Sequence, residues 1–169
     1  MNRKDQKNNT RQIFFDTAVS LFIQDPHKLT ARNIAKETHR STQPIYSYYK
    51  SISRLHQLVA RHTVNELTNL SYTYEFKSSI DLAIWYLNQC PSLTTDILDN
   101  NIDLLEHLTS SINQASSDSI TKGHLIMLAE TQYLYWALNK HDSTVALTLT
   151  ISNLCQNLKH SVSSNETFL

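Results

Sequence analysis

The sequence predicts an all-α protein, and three observations carry that prediction. Chain-breaking residues are scarce, with one glycine (Gly123) and three prolines (Pro26, Pro44, Pro91) among 169 residues; sheet proteins need turn residues more often. Apolar side chains recur at helical rather than alternating spacing in one segment after another. The apolar share of 40% is enough for a core. The length suits one domain, or a small module fused to a larger one.

The first helix is expected over about Thr10 to Gln24, where Ile13, Phe14, Thr17, Ala18, Leu21 and Phe22 make one apolar face. "DPHK" (25–28) breaks it, because proline disfavours helix for the residue before it. A second, short helix is expected to begin at Thr30, a good N-cap, and to run through Ile34 and Ala35 to about Thr38. A third is expected from a cap at Ser41 to Tyr49 or Lys50. A fourth, from about Ser53, carries a stripe of Leu55, Leu58, Val59, His62, Leu67 and Leu70. Beyond it, helices are expected near 77–89, 92–98, 101–113, 121–139 and 143–161, with Pro91 separating the first two and a polar loop at 113–119. The stretch "HLIMLAETQYLYWAL" (124–138) is apolar nearly all round, which predicts burial on more than one side. The last helix shows a stripe of Leu147, Ile151, Leu154 and Leu158.

Several function classes are disfavoured. Cys90 and Cys155 lie far apart and form no metal or redox spacing, so they read as reduced thiols. The polar N-terminus has no apolar core of a signal peptide, and no apolar run approaches a membrane span, so a cytoplasmic location is expected. With a single glycine a phosphate-cradling loop is excluded, and no nucleophile elbow or paired-carboxylate signal suggests a catalytic site. His62 and Glu66 share a helix face, and Glu106 and His107 are adjacent, but neither pair has a second half, so no metal or other cofactor is expected.

Charge is the positive signal. Residues 1–62 hold eleven Lys/Arg against four Asp/Glu, a balance of +7, whereas residues 63–169 hold four against eleven, a balance of −7. That split points the first third toward a polyanion. Chance clustering on a solvated surface is the competing reading. Within this third, a short helix, a tight turn and a second short helix make a helix-turn-helix arrangement. In the third helix "RSTQPIYSYYK" (40–50), Pro44 falls in the first turn, where the missing N–H costs little. Ile45 and Tyr49 are four apart and face inward. Thr42, Gln43, Tyr46, Ser47 and Tyr48 then face outward or along the flank, with Arg32, Arg40, Lys50 and Arg54 around them. Gln reads adenine, Thr meets a thymine methyl, and Tyr hydroxyls suit phosphate oxygens. For Arg3, Lys4 and Lys7, a disordered tail and a DNA-contacting arm are both open readings.

The run "LTARNIAKETHRSTQPIYSYYKSISRL" (29–55) resembles the DNA-binding signature of TetR-family transcriptional regulators. Thr30, Ile34, Ala35, Ser41, Ile45, Tyr46, Tyr48, Ser51 and Leu55 match in register, and Tyr49 replaces a phenylalanine. The resemblance covers about residues 8–60. It departs from the family at His39 (for the turn glycine), Arg40 (for an apolar turn residue), Gln43 (for a glycine) and Ile52 (for a lysine). A left-handed backbone at His39 would cost roughly 1 kcal/mol. The resemblance implies a helix-turn-helix DNA-binding domain at 1–52 and a helical ligand-sensing and dimerisation domain at 53–169. It implies a dimeric repressor on a palindromic operator, paired through its last two helices and released by a small apolar or aromatic effector. The DNA-contacting residues would be Thr30, Arg32, Arg40, Ser41, Thr42, Gln43, Tyr46, Ser47, Tyr48 and Lys50. Two reading heads would sit one DNA turn apart, roughly 34 Å.

An effector pocket could be lined by Trp85, Tyr86, Leu105, Met127 and Tyr133, although plain core or dimer packing is the better reading of the aromatics. Two other classes fit the same sequence. One is a nucleoid-organising or partner-binding protein that keeps the fold. The other is a helical enzyme or carrier whose first three helices are structural.

Overall fold

The computed structural model describes residues 3–139, which are helices and connecting turns with no strand among the described residues. Helix α1 (Arg3–Gln24) buries Phe14, Ala18, Leu21 and Phe22, the face expected from the sequence. It begins well before Thr10. Gln6–Asn9 are exposed and polar, so no apolar period marks these turns. Thr10 Oγ1 donates to the Gln6 carbonyl (2.9 Å), and farther along Gln12 Nε2 donates to Asp16 Oδ1 (2.8 Å). The N-terminal segment read as a tail or arm is thus the start of α1.

A 3₁₀ turn, Pro26–Lys28, follows, capped by the Asp25 side chain accepting from the His27 N–H (2.9 Å). Thr30 then caps α2 (Ala31–Thr38) as expected, its Oγ1 accepting from the Asn33 N–H at 3.2 Å. Helix α3 spans Gln43–Tyr49. Helix α4 (Ile52–Ser71) is capped by Ser51 rather than starting at Ser53, with the Arg54 N–H donating to Ser51 Oγ at 3.1 Å. It buries Leu55, Val59, Ala60 and Val64 between α1 and the later helices. Leu58 and Leu70 of the expected stripe are exposed, because α1 covers a narrower arc of α4 than the stripe occupies.

Ser78 caps α5 (Ser79–Gln89), and the Asp118 carboxylate accepts from both the backbone N–H (2.7 Å) and Oγ (3.0 Å) of Ser79. The Ser116 hydroxyl and the Ser79 donors hold the Asp118 carboxyl below its usual range. Pro91 opens α6 (Pro91–Leu98), at the first position of a helix where proline fits. Asn101 caps α7 (Ile102–Ala115), and the Asn113 side chain both donates to and accepts from the Ile120 backbone (3.0 and 2.7 Å), closing the loop before α8 (Lys122–Asn139). Burial on α8 differs from expectation. Leu125, Ala129 and Glu130 are buried, whereas Met127, Tyr133, Tyr135 and Leu138 are exposed, so among the described residues α8 buries one side. The expected helix at 143–161 and Cys155 lie outside the described residues. Cys90 is a buried free thiol, pushed up by burial.

One core runs from Phe14 to Ala129 and takes residues from all eight α-helices of the described chain, including Ile34 of α2 and Ile45 of α3. A polar joint crosses it. His56 Nε2 of α4 lies 2.8 Å from Oδ1 of the buried Asp96 on α6, without hydrogen-bond alignment, while Asp96 Oδ2 accepts from Asn101 Nδ2 at 2.7 Å. The Phe22 ring meets the His56 ring edge-on at 5.4 Å. Ser92 Oγ donates to the Ile23 carbonyl at 2.9 Å. The C-terminal end of α1, the start of α4 and α6 are therefore fastened together. No helix among the described residues is long and apolar enough to cross a membrane.

Candidate nucleic-acid interface

The α2–α3 unit is built around one strained backbone position. His39 closes α2 in the left-handed region (φ 52°, ψ 39°). Its N–H donates to the Lys36 carbonyl (3.2 Å) and the Arg40 N–H to the Ala35 carbonyl (3.0 Å), the paired bonds of a Schellman cap. The turn thus has left-handed geometry at a histidine.

The start of α3 corrects an expectation. Ser41 does not cap it. Thr42 holds the N-cap position with helical backbone (φ −76°, ψ −21°) and makes no side-chain cap bond. Pro44 is the physical reason: a cap needs the N–H groups of the second and third helical residues. Pro44 has none, and that of Ile45 already donates to the Thr42 carbonyl at 3.1 Å.

The back of α3 is locked. Ile45 is fully buried and Tyr49 nearly so. The Tyr49 hydroxyl donates to the Arg11 carbonyl at 2.7 Å, and the Arg11 guanidinium lies 5.7 Å from the centre of the Tyr49 ring. Burial raises the Tyr49 phenol above its ordinary value, so it stays a neutral donor. The front is open, with Gln43, Tyr46, Ser47 and Lys50 exposed and Tyr46 half so at 50%. Lys50 ends α3 at φ 68°.

The other candidates fall unevenly. Tyr48 is half-buried, its ring 6.3 Å from Phe14 and edge-on to Tyr49 at 6.4 Å, so its ring packs inward along the flank. Thr30 is exposed, but its hydroxyl is occupied in capping α2. Arg40, Ser41 and Thr42 are exposed in the turn, with Arg40 Nη1 donating a long 3.4 Å bond to Thr10 Oγ1. Arg32 is exposed on α2. Among the described residues none of Lys28, Arg32, Lys36, Arg40, Lys50 and Arg54 sits in an ion pair. Their positive charge is therefore uncompensated by close carboxylates. Arg11 and Phe14, which orient α3 from behind, were not singled out from sequence for this role; the i, i+3 pair belongs to α1, and only the tertiary packing brings it to the tyrosines.

No protein-family model, curated protein or solved structure matches this chain. The site rests on its own geometry.

The five expected pocket residues lie in different surroundings among the described residues. Tyr86 is fully buried, its hydroxyl donating to Thr68 Oγ1 at 2.7 Å, and burial raises its phenol. Leu105 belongs to the core. Met127 and Tyr133 are exposed on α8. Trp85 joins an aromatic cluster instead, 5.6 Å from both Tyr74 and Phe76 and edge-on to Tyr86 at 5.4 Å. The recess beside that cluster is small, about 170 Å³. Aromatic residues fill space well, so their clustering in sequence reported packing rather than a cavity.

Among the described residues no three His, Cys, Asp or Glu side chains gather to hold a metal. Glu106 instead accepts from Lys122 Nζ at 2.6 Å, which lowers its carboxyl, and His62 packs edge-on against Phe15 at 5.3 Å.

Proposed function

We propose that this chain is a DNA-binding transcriptional regulator of the TetR type, reading duplex DNA with α3. The observation that carries the reading is the two-sided character of α3. Its back is fixed by Ile45, Tyr49 and the Tyr49–Arg11 bond, while on its front the side chains of Gln43, Tyr46, Ser47 and Lys50 are exposed and make no hydrogen bond or ion pair among the described residues. A rigid helix with free donors and a surrounding ring of unpaired cations suits a major groove. In this reading Lys50, Arg32 and Arg54 neutralise phosphates, Tyr46 donates to a phosphate oxygen, and Gln43 reads base edges. The helix-turn-helix unit at 1–52 is the reading head, and a homodimer of the chain through its last two helices supplies two heads to a two-fold symmetric operator. The apolar residues Met127, Tyr135 and Leu138, exposed on α8 among the described residues, support the dimer.

The test is selection from a random duplex pool by the full chain, followed by affinity measurements at several salt concentrations. The expected outcome is an enriched, two-fold symmetric sequence whose affinity falls steeply with salt. Failure to enrich any sequence, with random duplex bound as well as every selected one, would refute specific regulation.

A further inference from the structure

Residues 41–49, "STQPIYSYY", carry no charged side chain, although they sit in the basic third of the chain. The nearest cations, Arg40 and Lys50, flank the stretch. Arg40 Nη1 is held toward α1 by its 3.4 Å bond to Thr10 Oγ1. Lys50 follows the last residue of α3, seven positions from Gln43 and so roughly 10 Å along the helix axis. Both cations therefore stand at the rim of the exposed face. Within the stretch the exposed side chains are Ser41, Thr42, Gln43, Tyr46 and Ser47, and none makes a side-chain hydrogen bond among the described residues.

The edges of the bases sort these groups. In the major groove guanine offers two acceptors, O6 and N7, and is selected by the charged donors of Arg or Lys. Cytosine offers its N4 amino group and is selected by a carboxylate. Residues 41–49 hold neither kind of group. A hydroxyl both donates and accepts, so Ser41, Thr42, Tyr46 and Ser47 discriminate little between bases. The Gln43 carboxamide does discriminate. Its Nε2 donates and its Oε1 accepts, which complements N7 and the N6 amino group of adenine. Against guanine its Oε1 would face O6, acceptor to acceptor. The backbone that carries Gln43 is also held, because Pro44 fixes φ at the next residue and Ile45 is fully buried.

We infer that each reading head selects an A·T pair through α3, with Gln43 bidentate to the adenine. The inference rests on the DNA-reading function proposed above and names the base that its exposed face takes. In a two-fold dimer the two adenines fall about one helical turn apart, roughly 34 Å.

The experiment starts from the duplex that the full chain enriches from a random pool. An A·T pair is expected at the same place in both halves. Fluorescence anisotropy then compares this duplex with one carrying G·C at that pair, and with duplexes carrying 7-deazaadenine at each adenine in turn. That analogue still pairs with thymine and lacks only N7. At one symmetric position, G·C is expected to weaken binding about tenfold or more, and 7-deazaadenine about fivefold, within the range of one bidentate contact. Gln43→Ala is expected to bind the three duplexes alike, and Gln43→Arg to prefer guanine at that pair. Gln43 is exposed, so both variants keep the buried back of α3; far-UV circular dichroism and retained affinity for random duplex verify this. A symmetric G·C pair in place of A·T, indifference to 7-deazaadenine at every adenine, a Gln43→Ala chain that still discriminates, or a Gln43→Arg chain with unchanged preference would each overturn the inference and leave the DNA-reading function standing. Enrichment of no sequence overturns both.

Discussion

Replacing His39 by glycine relieves a strain that the chain carries at the centre of its α2–α3 turn. An L-residue in the left-handed region is disfavoured by roughly 1–2 kcal/mol relative to glycine. Histidine is enriched there and belongs at the lower end, about 1 kcal/mol. Glycine loses part of this through the greater freedom of the unfolded chain, about 0.4–1 kcal/mol. The His39 side chain is exposed, so no packing is lost, and the two cap bonds, from the His39 N–H to Lys36 and the Arg40 N–H to Ala35, are backbone bonds that survive substitution. The net expectation is a gain of about 0.3 kcal/mol for His39→Gly, which is about 1 °C in Tm for a chain of this size. His39→Ala is expected at or slightly below the parent. His39→Val, β-branched at φ 52°, is expected to lose about 1 kcal/mol or more. Thermal and urea unfolding followed by far-UV circular dichroism measures all four chains. The order Gly, His, Ala, Val is the prediction. A glycine variant less stable than the parent, or a valine variant equal to it, would show that the turn is not left-handed in solution.

Three further outcomes follow from the same geometry. Tyr49→Phe keeps the buried ring but deletes the 2.7 Å bond to the Arg11 carbonyl, and is expected to cost about 1 kcal/mol of unfolding free energy in urea titration. For His107, burial first and the nearby Arg61 second hold the imidazole below its ordinary 6.5. Just below 6.5 the unfolded chain therefore binds more protons than the folded one. The contribution of this group is fully present above that value and is lost as pH falls from it toward the folded-state value. His107→Gln should accordingly flatten the decline in stability measured between about pH 7 and pH 5. In duplex binding, Gln43→Ala is expected to relax base preference by about 1–3 kcal/mol at one position, whereas Lys50→Gln should weaken all sequences alike and reduce the salt slope by about 1. Uniform weakening from Gln43→Ala would argue against base reading by that side chain.

What the sequence made legible follows physical rules that act locally. The apolar face of α1 and the Thr30 cap were readable because a helix repeats every 3.6 residues and a cap acts within three. The inward Ile45 and Tyr49 of α3 followed from the same period. Polar turns were not readable: α1 begins at Arg3, and its first turns carry no apolar spacing to announce them. Ser41 looked like a cap in isolation, but the helix starts one residue later, with Thr42 at the N-cap position. The joint of His56 with Asp96, 40 residues apart, and the burial of Glu130 on an apolar helix are tertiary matters that no local pattern announces. The pocket candidates failed for a related reason, since aromatic side chains signal bulk to be packed and say nothing of whether space is left beside them.

The central claim is that the exposed face of α3 is the surface that meets duplex DNA. It is tested most directly by NMR titration of the isotope-labelled full chain with a selected duplex, following backbone amides and the tyrosine rings. The largest shift changes are expected at Gln43, Tyr46, Ser47 and Lys50, with smaller ones at Arg32 and Arg54 and none at Tyr74, Phe76 and Trp85. Changes centred on the aromatic cluster or on α8, with α3 silent, would contradict the account.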